Sequence, residues 1–229
     1  MKKNGILSRL FLVIMFLFLY APIFVLIVFS FNDSKSNAVW GGFTFDWYVQ
    51  LFQNRTVLGA LQTTLLVSVL ATLIATVVGT AAAIGFSSMK RRPRSLFLTI
   101  NNIPLTNADI ITGVSMMLLF VLALGALNGL FGGLGLRLRL GFGTLLIAHI
   151  TFNIPYVIVS VLPKLRQLDP NLAEAALDLG ATRLQAFWKV VLPELMPGIV
   201  NGMLIAFTMS IDDFVISYFT AGSQASTLS

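Results

Sequence analysis

Residues 61–86 read LQTTLLVSVLATLIATVVGTAAAIGF and contain no charged side chain. A helix needs about 20 apolar residues to cross the ~30 Å hydrocarbon core of a bilayer, so this run predicts a transmembrane helix. Its second half is rich in small residues, including Gly79 and Ala83. Because small residues let membrane helices approach closely, we expect this helix to pack inside a helical bundle.

Four further apolar runs surround this segment, at residues 10–31, about 96–124, 141–162 and about 197–219. The first run is longer than the apolar core of a signal peptide, about 7–15 residues, and it has no small-residue exit. It therefore predicts a retained helix. The glycine-rich stretch 125–135 predicts a loop or a broken helix. The expected fold class is all-α, a polytopic transmembrane bundle of about five spans forming a single domain over residues 1–229.

The composition excludes most soluble and redox functions. The chain is 57% hydrophobic and 10% charged, with a mean hydropathy of +0.89, whereas soluble domains carry about 25% charged residues. There is no cysteine and one histidine, His149. Disulfides, iron–sulfur clusters and thiolate zinc sites are thus excluded, and a haem or copper enzyme would need more imidazole ligands.

The basic charges indicate an orientation. Lys and Arg number 15 against nine Asp and Glu; since they stand between apolar runs, they favour a membrane protein over a nucleic-acid-binding one. With a cytoplasmic N-terminus, eleven lie inside, namely Lys2, Lys3, Arg9, Lys90, Arg91, Arg92, Arg94, Lys164, Arg166, Arg183 and Lys189. Four lie outside, namely Lys35, Arg55, Arg137 and Arg139. Cytoplasmic loops of membrane proteins are enriched in such residues, so we expect the N-terminus inside.

The polar segment at about residues 163–193 contains DPNLAEAALDLGATRLQAFWKVVLP from residue 169 onward. This pattern predicts two short helices in a cytoplasmic loop. Asp169 can cap the first helix, with Pro170 at its first position, and Gly180 can supply a left-handed exit.

The second short helix has its own signals. Thr182 and Gln185 have the spacing of a capping box, and Pro193 is expected to stop this helix before the next span. From this pattern alone, two interpretations stay open: a helix pair lying on the lipid surface, or a pair that docks on a partner.

The same segment resembles the EAA loop of ABC importer permeases. The matching positions are Glu174, Ala175, Ala176, Gly180, Leu192 and Pro193, with Val190 where that family carries isoleucine. The resemblance implies that residues 174–180 form a coupling helix that seats on a separate ATPase, and that these six matching residues couple it to the membrane domain. The chain has no G-x-x-x-x-G-K-[ST] motif, so we expect no ATPase site here, with ATP and Mg²⁺ bound by the partner.

The wider sequence is similar to the spermidine/putrescine permeases of this family, specifically the second permease subunit. The most specific stretches are AFTMSIDDFVISYF at 206–219 and IITGVS at 110–115. The resemblance implies a bacterial inner-membrane protein that works with an ATPase homodimer, a second homologous permease and an external polyamine-binding protein. Such permeases usually continue into a sixth span, so we expect this chain to lack a last span.

Three carboxylates are the candidate substrate path: Asp109, Asp212 and Asp213. Carboxylates within a membrane span are costly and usually functional. Asp109 follows Arg94 by 15 residues, as Asp212 follows Pro197, so both are expected at similar depth in the outer half of the bilayer. Such a lining suits a polycation. Asp212 and Asp213 would point about 100° apart on a helix, so we expect one to face the path and the other to hold the helix end or a neighbour. For either residue, capping of a broken helix or exposure at the outer aqueous surface stays open as an alternative.

Other polar and aromatic residues have structural interpretations. His149 is expected to be a packed or hydrogen-bonded bundle residue, and Trp40, Trp47 and Tyr48 to belong to an interfacial aromatic belt. Two rival functions remain at this stage. One is an importer permease for another small solute, which would not need the three carboxylates. The other is a non-transporting membrane assembly subunit.

Overall fold

The computed structural model describes residues 5–34, 39–131, 139–169, 171–222 and 227–228. They fall into two compact units, Met1–Leu58 and Gly59–Ser229. Within the described ranges the regular structure is helical, apart from one bridge between Asn32 and Phe43.

The first unit contains helix α1 (Gly5–Phe29) and the short helix α2 (Asp46–Gln53). The described apolar side chains of α1 are exposed, except that of Phe29, which is half-buried. A helix that is apolar on every side needs lipid or another protein around it.

The loop between α1 and α2 is organised by Asn32, which is 1% exposed. Its Oδ1 accepts from the backbone N–H of Gly41 at 2.7 Å, and its backbone oxygen accepts from Trp47 Nε1 at 2.8 Å. The hydroxyls of Ser30 and Tyr48 lie 2.7 Å apart. The polar atoms of Trp47 and Tyr48 therefore stabilise this loop.

The second unit contains the remaining helices. They are α3 (Arg55–Ser88, whose first residues belong to the first unit), α4 (Arg91–Thr106), α5 (Asp109–Phe131), α6 (Phe142–Gln167), α7 (Asn171–Asp178), α8 (Arg183–Ala186), a π-helical turn (Phe187–Val191), α9 (Leu192–Asp212) and α10 (Val215–Thr220).

Among the described residues, five helical segments are long and apolar enough to cross a membrane. They are Ser8–Phe29, Arg55–Ser88, Asp109–Leu130, Phe142–Gln167 and Arg183–Asp212. The all-α fold class and the number of spans expected from the apolar runs are thus confirmed.

The third apolar run is divided, so its prediction as one helix over 96–124 is wrong. Helix α4 ends at Thr106, and Asn107 takes an extended conformation with ψ of 153°. Helix α5 then begins at Asp109. Asn and Asp compete for backbone hydrogen bonds and therefore favour helix ends. Asp109 consequently lies at the start of a span instead of 15 residues within one.

The end of the third run also differs from expectation. Helix α5 continues through Gly125 and Gly129 to Phe131, so the first part of the glycine-rich stretch is helical. Glycine is a weak helix former, at about 1 kcal/mol relative to alanine, but the apolar run around Gly125 and Gly129 continues the helix despite that cost. Residues 132–135 of that stretch, and Arg137 beyond it, lie outside the described residues.

The fifth apolar run also contains a break. Helix α9 ends at Asp212, and Asp213 is extended with ψ of 101°; α10 follows at Val215. The prediction that Asp212 and Asp213 are neighbours on one continuous helix is wrong, since a residue with extended ψ cannot continue an α-helix.

Pro193 does not stop the second helix of the polar segment, contrary to the prediction. Helix α8, the π turn and α9 form one continuous helical segment, Arg183–Asp212. Leu192 N donates to Phe187 O, five residues earlier. A proline has no N–H and disturbs the preceding turn, and a π turn is one way to accommodate it within a helix.

Helix α6 is the centre of the second unit. On its α3 side, a Cβ built at Gly79 would lie 2.8 Å from Val157 Cβ. On its α9 side, a Cβ at Gly202 would lie 3.1 Å from Ser160 Cβ. Val157 and Ala83 belong to the same buried cluster. The interior position expected for the small-residue half of α3 is therefore confirmed.

Candidate functional site

The predicted coupling helix is present as α7 (Asn171–Asp178). Asp169 Oδ1 accepts from Asn171 N at 2.9 Å, which agrees with its predicted capping role, although Pro170 lies outside the described residues. Gly180 has φ of +83°, and Ala181 N donates to Ala176 O at 3.0 Å. This left-handed exit confirms the prediction for Gly180.

The predicted capping box of α8 is also confirmed. Thr182 N donates to Gln185 Oε1 at 2.9 Å, and Gln185 N donates to Thr182 Oγ1 at 3.3 Å. Two backbone donors that the helix leaves unpaired are thereby satisfied.

The EAA positions lie on the surface of this segment. Glu174 and Ala175 are exposed, Ala176 and Leu192 are half-buried, and Pro193 is exposed. Large apolar side chains are exposed beside them, namely Leu177, Leu179, Leu184 and Trp188. A surface of this kind fits either a protein partner or lipid.

A cavity of about 170 Å³ brings the three predicted carboxylates together. Asp109 reaches it from the start of α5, Asp212 from the end of α9, and Asp213 from the break before α10. The other lining residues are Phe152, Tyr156, Met209, Phe214 and Val215. The break between α4 and α5, which was not predicted, and the break between α9 and α10 bring these carboxylates to one cavity.

The three carboxylates have different surroundings. The side chain of Asp213 is 7% exposed. Its Oδ1 accepts from Ile216 N and its Oδ2 from Ser217 N, each at 3.2 Å. Asp109 and Asp212 are exposed and form no hydrogen bond or ion pair with any described residue. Asp213 therefore caps α10 and also lines the cavity, while Asp109 and Asp212 have no competing partner among the described residues.

His149 contacts Asp213 but does not line the cavity. It is 2% exposed, and its Nδ1 is 2.8 Å from Ser210 Oγ. Its Nε2 is 3.0 Å from Ser217 Oγ and 3.6 Å from Asp213 Oδ2. The expectation that His149 is a hydrogen-bonded bundle residue agrees with these contacts, but its position beside the cavity was not foreseen.

The sequence comparisons decide the family. A family model described as a binding-protein-dependent transport system inner membrane component matches residues 75–228. The putrescine transport system permease protein PotI of Escherichia coli K12 is 40% identical over 214 residues, which cover 93% of this chain and 74% of PotI. The spermidine/putrescine transport system permease protein PotC of Haemophilus influenzae is 34% identical over 216 residues, covering 94% of this chain and 79% of PotC.

The chain belongs to the family of binding-protein-dependent transport system inner membrane components. It is a multi-pass inner-membrane permease subunit of an ABC importer, and the resemblance inferred from the EAA loop is thus confirmed.

Solved structures agree with this permease fold. A bacterial ABC transporter involved in the import of the acidic polysaccharide alginate has a TM-score of 0.70 at 22% identity, covering 97% of this chain and 79% of that one. The alginate transporter in complex with a pentasaccharide-bound periplasmic protein gives a TM-score of 0.69 at 21% identity, over 97% and 78%. At this level of sequence identity, the similarity shows that the fold is shared and does not extend to the substrate.

Sequence reasoning missed the aromatic wall of this permease's cavity. Phe152 and Tyr156 line it, with ring centroids 5.4 Å apart and planes at 63°. With His149 they follow a spacing of three and four residues, which places all three on one face of α6. That spacing was visible in the sequence and could have identified the face, but the neighbouring helix could not be deduced from it.

Proposed function

We propose that this permease forms part of a path for polyamines in an ATP-driven importer, and that Asp109, Asp212 and Asp213 receive the cation. The observation that carries the proposal is the cavity in which these three carboxylates meet. Like charges brought together are unfavourable unless a cation joins them. A chain of ammonium groups is a ligand of matching sign.

The lining also suits the chemistry of an amine. A polyamine loses hydration when it enters a narrow passage, and carboxylate oxygens replace part of that hydration. Tyr156, Phe152 and Phe214 add aromatic surfaces, and an ammonium group within about 6 Å of a ring centroid is attracted to the ring. An aromatic wall beside carboxylates thus accommodates both the methylene chain and the charge.

The relatives support the same substrate class. PotI is named for putrescine transport and PotC for spermidine/putrescine transport. We extend that assignment to this chain, together with a cargo-delivering binding protein outside the membrane and a second homologous permease.

The coupling surface is proposed to seat on an ATPase. Glu174, Ala175 and Gly180 occupy the EAA positions on the exposed α7 segment. The EAA match favours a protein partner over the lipid surface, and the groove of an ATPase would cover the apolar residues around these positions. A homodimer of that ATPase would bind ATP and Mg²⁺, and the permease would supply no catalytic group.

The decisive experiment removes the charge of each carboxylate while keeping its shape. The assembled importer would be reconstituted with the Asp109→Asn, Asp212→Asn or Asp213→Asn variant, and uptake of radiolabelled putrescine and spermidine would be measured. We expect the apparent KM to rise about tenfold, the size of a lost charge-assisted hydrogen bond. Asp46→Asn is the control, because Asp46 is an exposed acid on α2 that does not line the cavity.

The quantity of assembled complex would be measured beside uptake. If all three variants took up polyamines normally with intact assembly, the proposal would fail. If binding proteins loaded with anions or neutral solutes then stimulated the ATPase activity, an importer for such a solute would be favoured.

A further inference from the structure

We propose that His149 is a positioning residue for the substrate path. It does not line the cavity itself, but it holds the break between α9 and α10 in the conformation that directs the Asp213 carboxylate into the cavity. This inference rests on the proposed function of the three carboxylates, and it adds a residue that does not touch the substrate.

The first argument is the position of the imidazole between three elements. His149 belongs to α6, Ser210 to the last turns of α9 and Ser217 to α10. Both serine hydroxyls lie within 3.0 Å of a ring nitrogen. One side chain thus joins the helices before and after the break to the central helix of the unit.

The second argument is that the break needs such support. Asp213 is extended, with φ of −76° and ψ of 101°, so the α9 hydrogen-bond ladder does not continue through it. At the break, Ile216 N and Ser217 N donate to the Asp213 carboxylate. These bonds hold Asp213 to α10, whereas the hydrogen bond between His149 and Ser210 holds the end of α9.

The third argument is the chemistry of the two ring nitrogens. A neutral imidazole donates from one nitrogen and accepts at the other, and a carboxylate only accepts. With the proton on Nε2, the N–H points toward Ser217 and Asp213, and Nδ1 accepts from the Ser210 hydroxyl. This tautomer satisfies both serines and directs a positive dipole at Asp213 Oδ2, which is 3.6 Å away.

Two further acids face the same cavity. Asp109 and Asp212 line it with Asp213, so their repulsion favours rotation of the Asp213 carboxylate away from them. The backbone donors of α10 and the Nε2 side of His149 oppose that rotation. Without His149, we expect Asp213 to adopt several orientations and the cation to bind less tightly.

The test uses two amide substitutions, each of which keeps one of the two hydrogen-bonding positions of the imidazole ring. The amide nitrogen of asparagine superimposes on Nδ1 of histidine, and that of glutamine on Nε2. His149→Asn can keep the Ser210 contact but loses the contacts with Ser217 and Asp213, whereas His149→Gln keeps the latter. In the reconstituted importer we expect His149→Asn to raise the apparent KM for putrescine about tenfold, and His149→Gln to stay within about twofold of the parent.

A double-mutant cycle identifies the residue through which His149 acts. In an Asp213→Asn background, we expect His149→Asn to add no more than about a twofold further rise in KM, because the carboxylate it orients has lost its charge. Ser160→Ala is the matched control. It removes another 2.8 Å hydrogen bond between α6 and α9, from Asn201; neither residue lines the cavity, and the change should leave KM unchanged.

The outcomes separate this inference from the proposed function. If Asp213→Asn raises KM while His149→Asn does not, or if the two effects multiply fully, the inference is wrong and the proposed function stands. Equal effects of His149→Asn, His149→Gln and Ser160→Ala would show that His149 is only a helix clamp. If Asp213→Asn leaves uptake unchanged, the proposed function itself fails.

Discussion

Asp212 and Asp213 are adjacent in sequence, but the structure places them in different surroundings. Asp213 caps α10 through two backbone N–H groups, while the Asp212 side chain is exposed at the cavity. From the sequence, we expected one of the two carboxylates to hold a helix end. The two side chains differ because the helix breaks at Asp213, and not because they point 100° apart on a continuous helix.

Tyr156 lines the cavity, and the contribution of its aromatic ring to substrate binding can be tested by substitution. Tyr156→Leu removes an aromatic surface that would attract an ammonium group, an effect worth about 1 kcal/mol. We expect the apparent KM for putrescine to rise about fivefold and that of Tyr156→Phe to stay near the parent value. Equal uptake by the leucine and phenylalanine variants would show that the ring contributes no cation–π interaction.

Gly180 is the residue at which the coupling segment depends on backbone conformation. Its φ of +83° disfavours side chains, yet a Cβ there would meet no atom within 4 Å. The penalty for Gly180→Val is therefore conformational, about 1–2 kcal/mol, and Gly180→Asn should be milder because asparagine tolerates this region. We expect valine, but not asparagine, to reduce ATPase co-purification and coupled uptake severalfold. Full coupling of Gly180→Val would contradict the coupling assignment.

At the level of elements, α8 of the proposed coupling segment continues directly into the membrane-spanning helix, and the turn at Gly180 connects it to α7. The helical segment Arg183–Asp212 is continuous through its π turn, and it runs from the capped α8 to the acidic end of α9. A displacement of α7 and α8 by an ATPase would thus be carried along α9 toward Asp212. This connection gives a physical basis for coupling ATP hydrolysis to the cavity.

The packing of α3 on α6 provides a prediction about stability. A Cβ at Gly79 would lie 2.8 Å from Val157 Cβ and 3.3 Å from Ile154 O, and such overpacking costs about 1–3 kcal/mol. Gly79→Ala should lower the Tm of the detergent-solubilised complex by about 3–10 °C. Gly85→Ala is the control on the same helix, because a Cβ there meets no atom within 4 Å. A Tm for Gly79→Ala equal to that of the control would refute close packing at this site.

For the whole molecule, the distribution of Lys and Arg predicts the orientation. The chain has no cysteine, so single cysteines can be introduced without background labelling. With a cytoplasmic N-terminus, a membrane-impermeant maleimide should label Gln53→Cys in intact cells. It should label Ser88→Cys only after permeabilisation, because α3 separates these positions by one span. The reverse pattern would overturn the orientation.

Several features of this protein could be deduced from the sequence because their causes are local. Hydrophobic runs long enough to cross a bilayer predicted five spans, since length and composition alone determine that property. Gly180, Thr182 and Gln185 predicted a helix exit and a capping box, because these depend on backbone conformation and contacts within a few residues. The EAA spacing matched the motif of a known family, and the family model confirmed that match.

The cavity was decided only by the tertiary structure. The helix breaks at Asn107 and Asp213 fall inside apolar runs, where hydropathy alone predicts continuous spans, although Asn and Asp locally favour helix ends. Asp109 and Asp213 are 104 positions apart in the sequence, so no local pattern could bring them to one cavity. His149 shows the same limit. Its buried state was predictable from its apolar surroundings, but its place behind Asp213 depends on contacts with Ser210 and Ser217, which only the folding of α9 and α10 onto α6 creates.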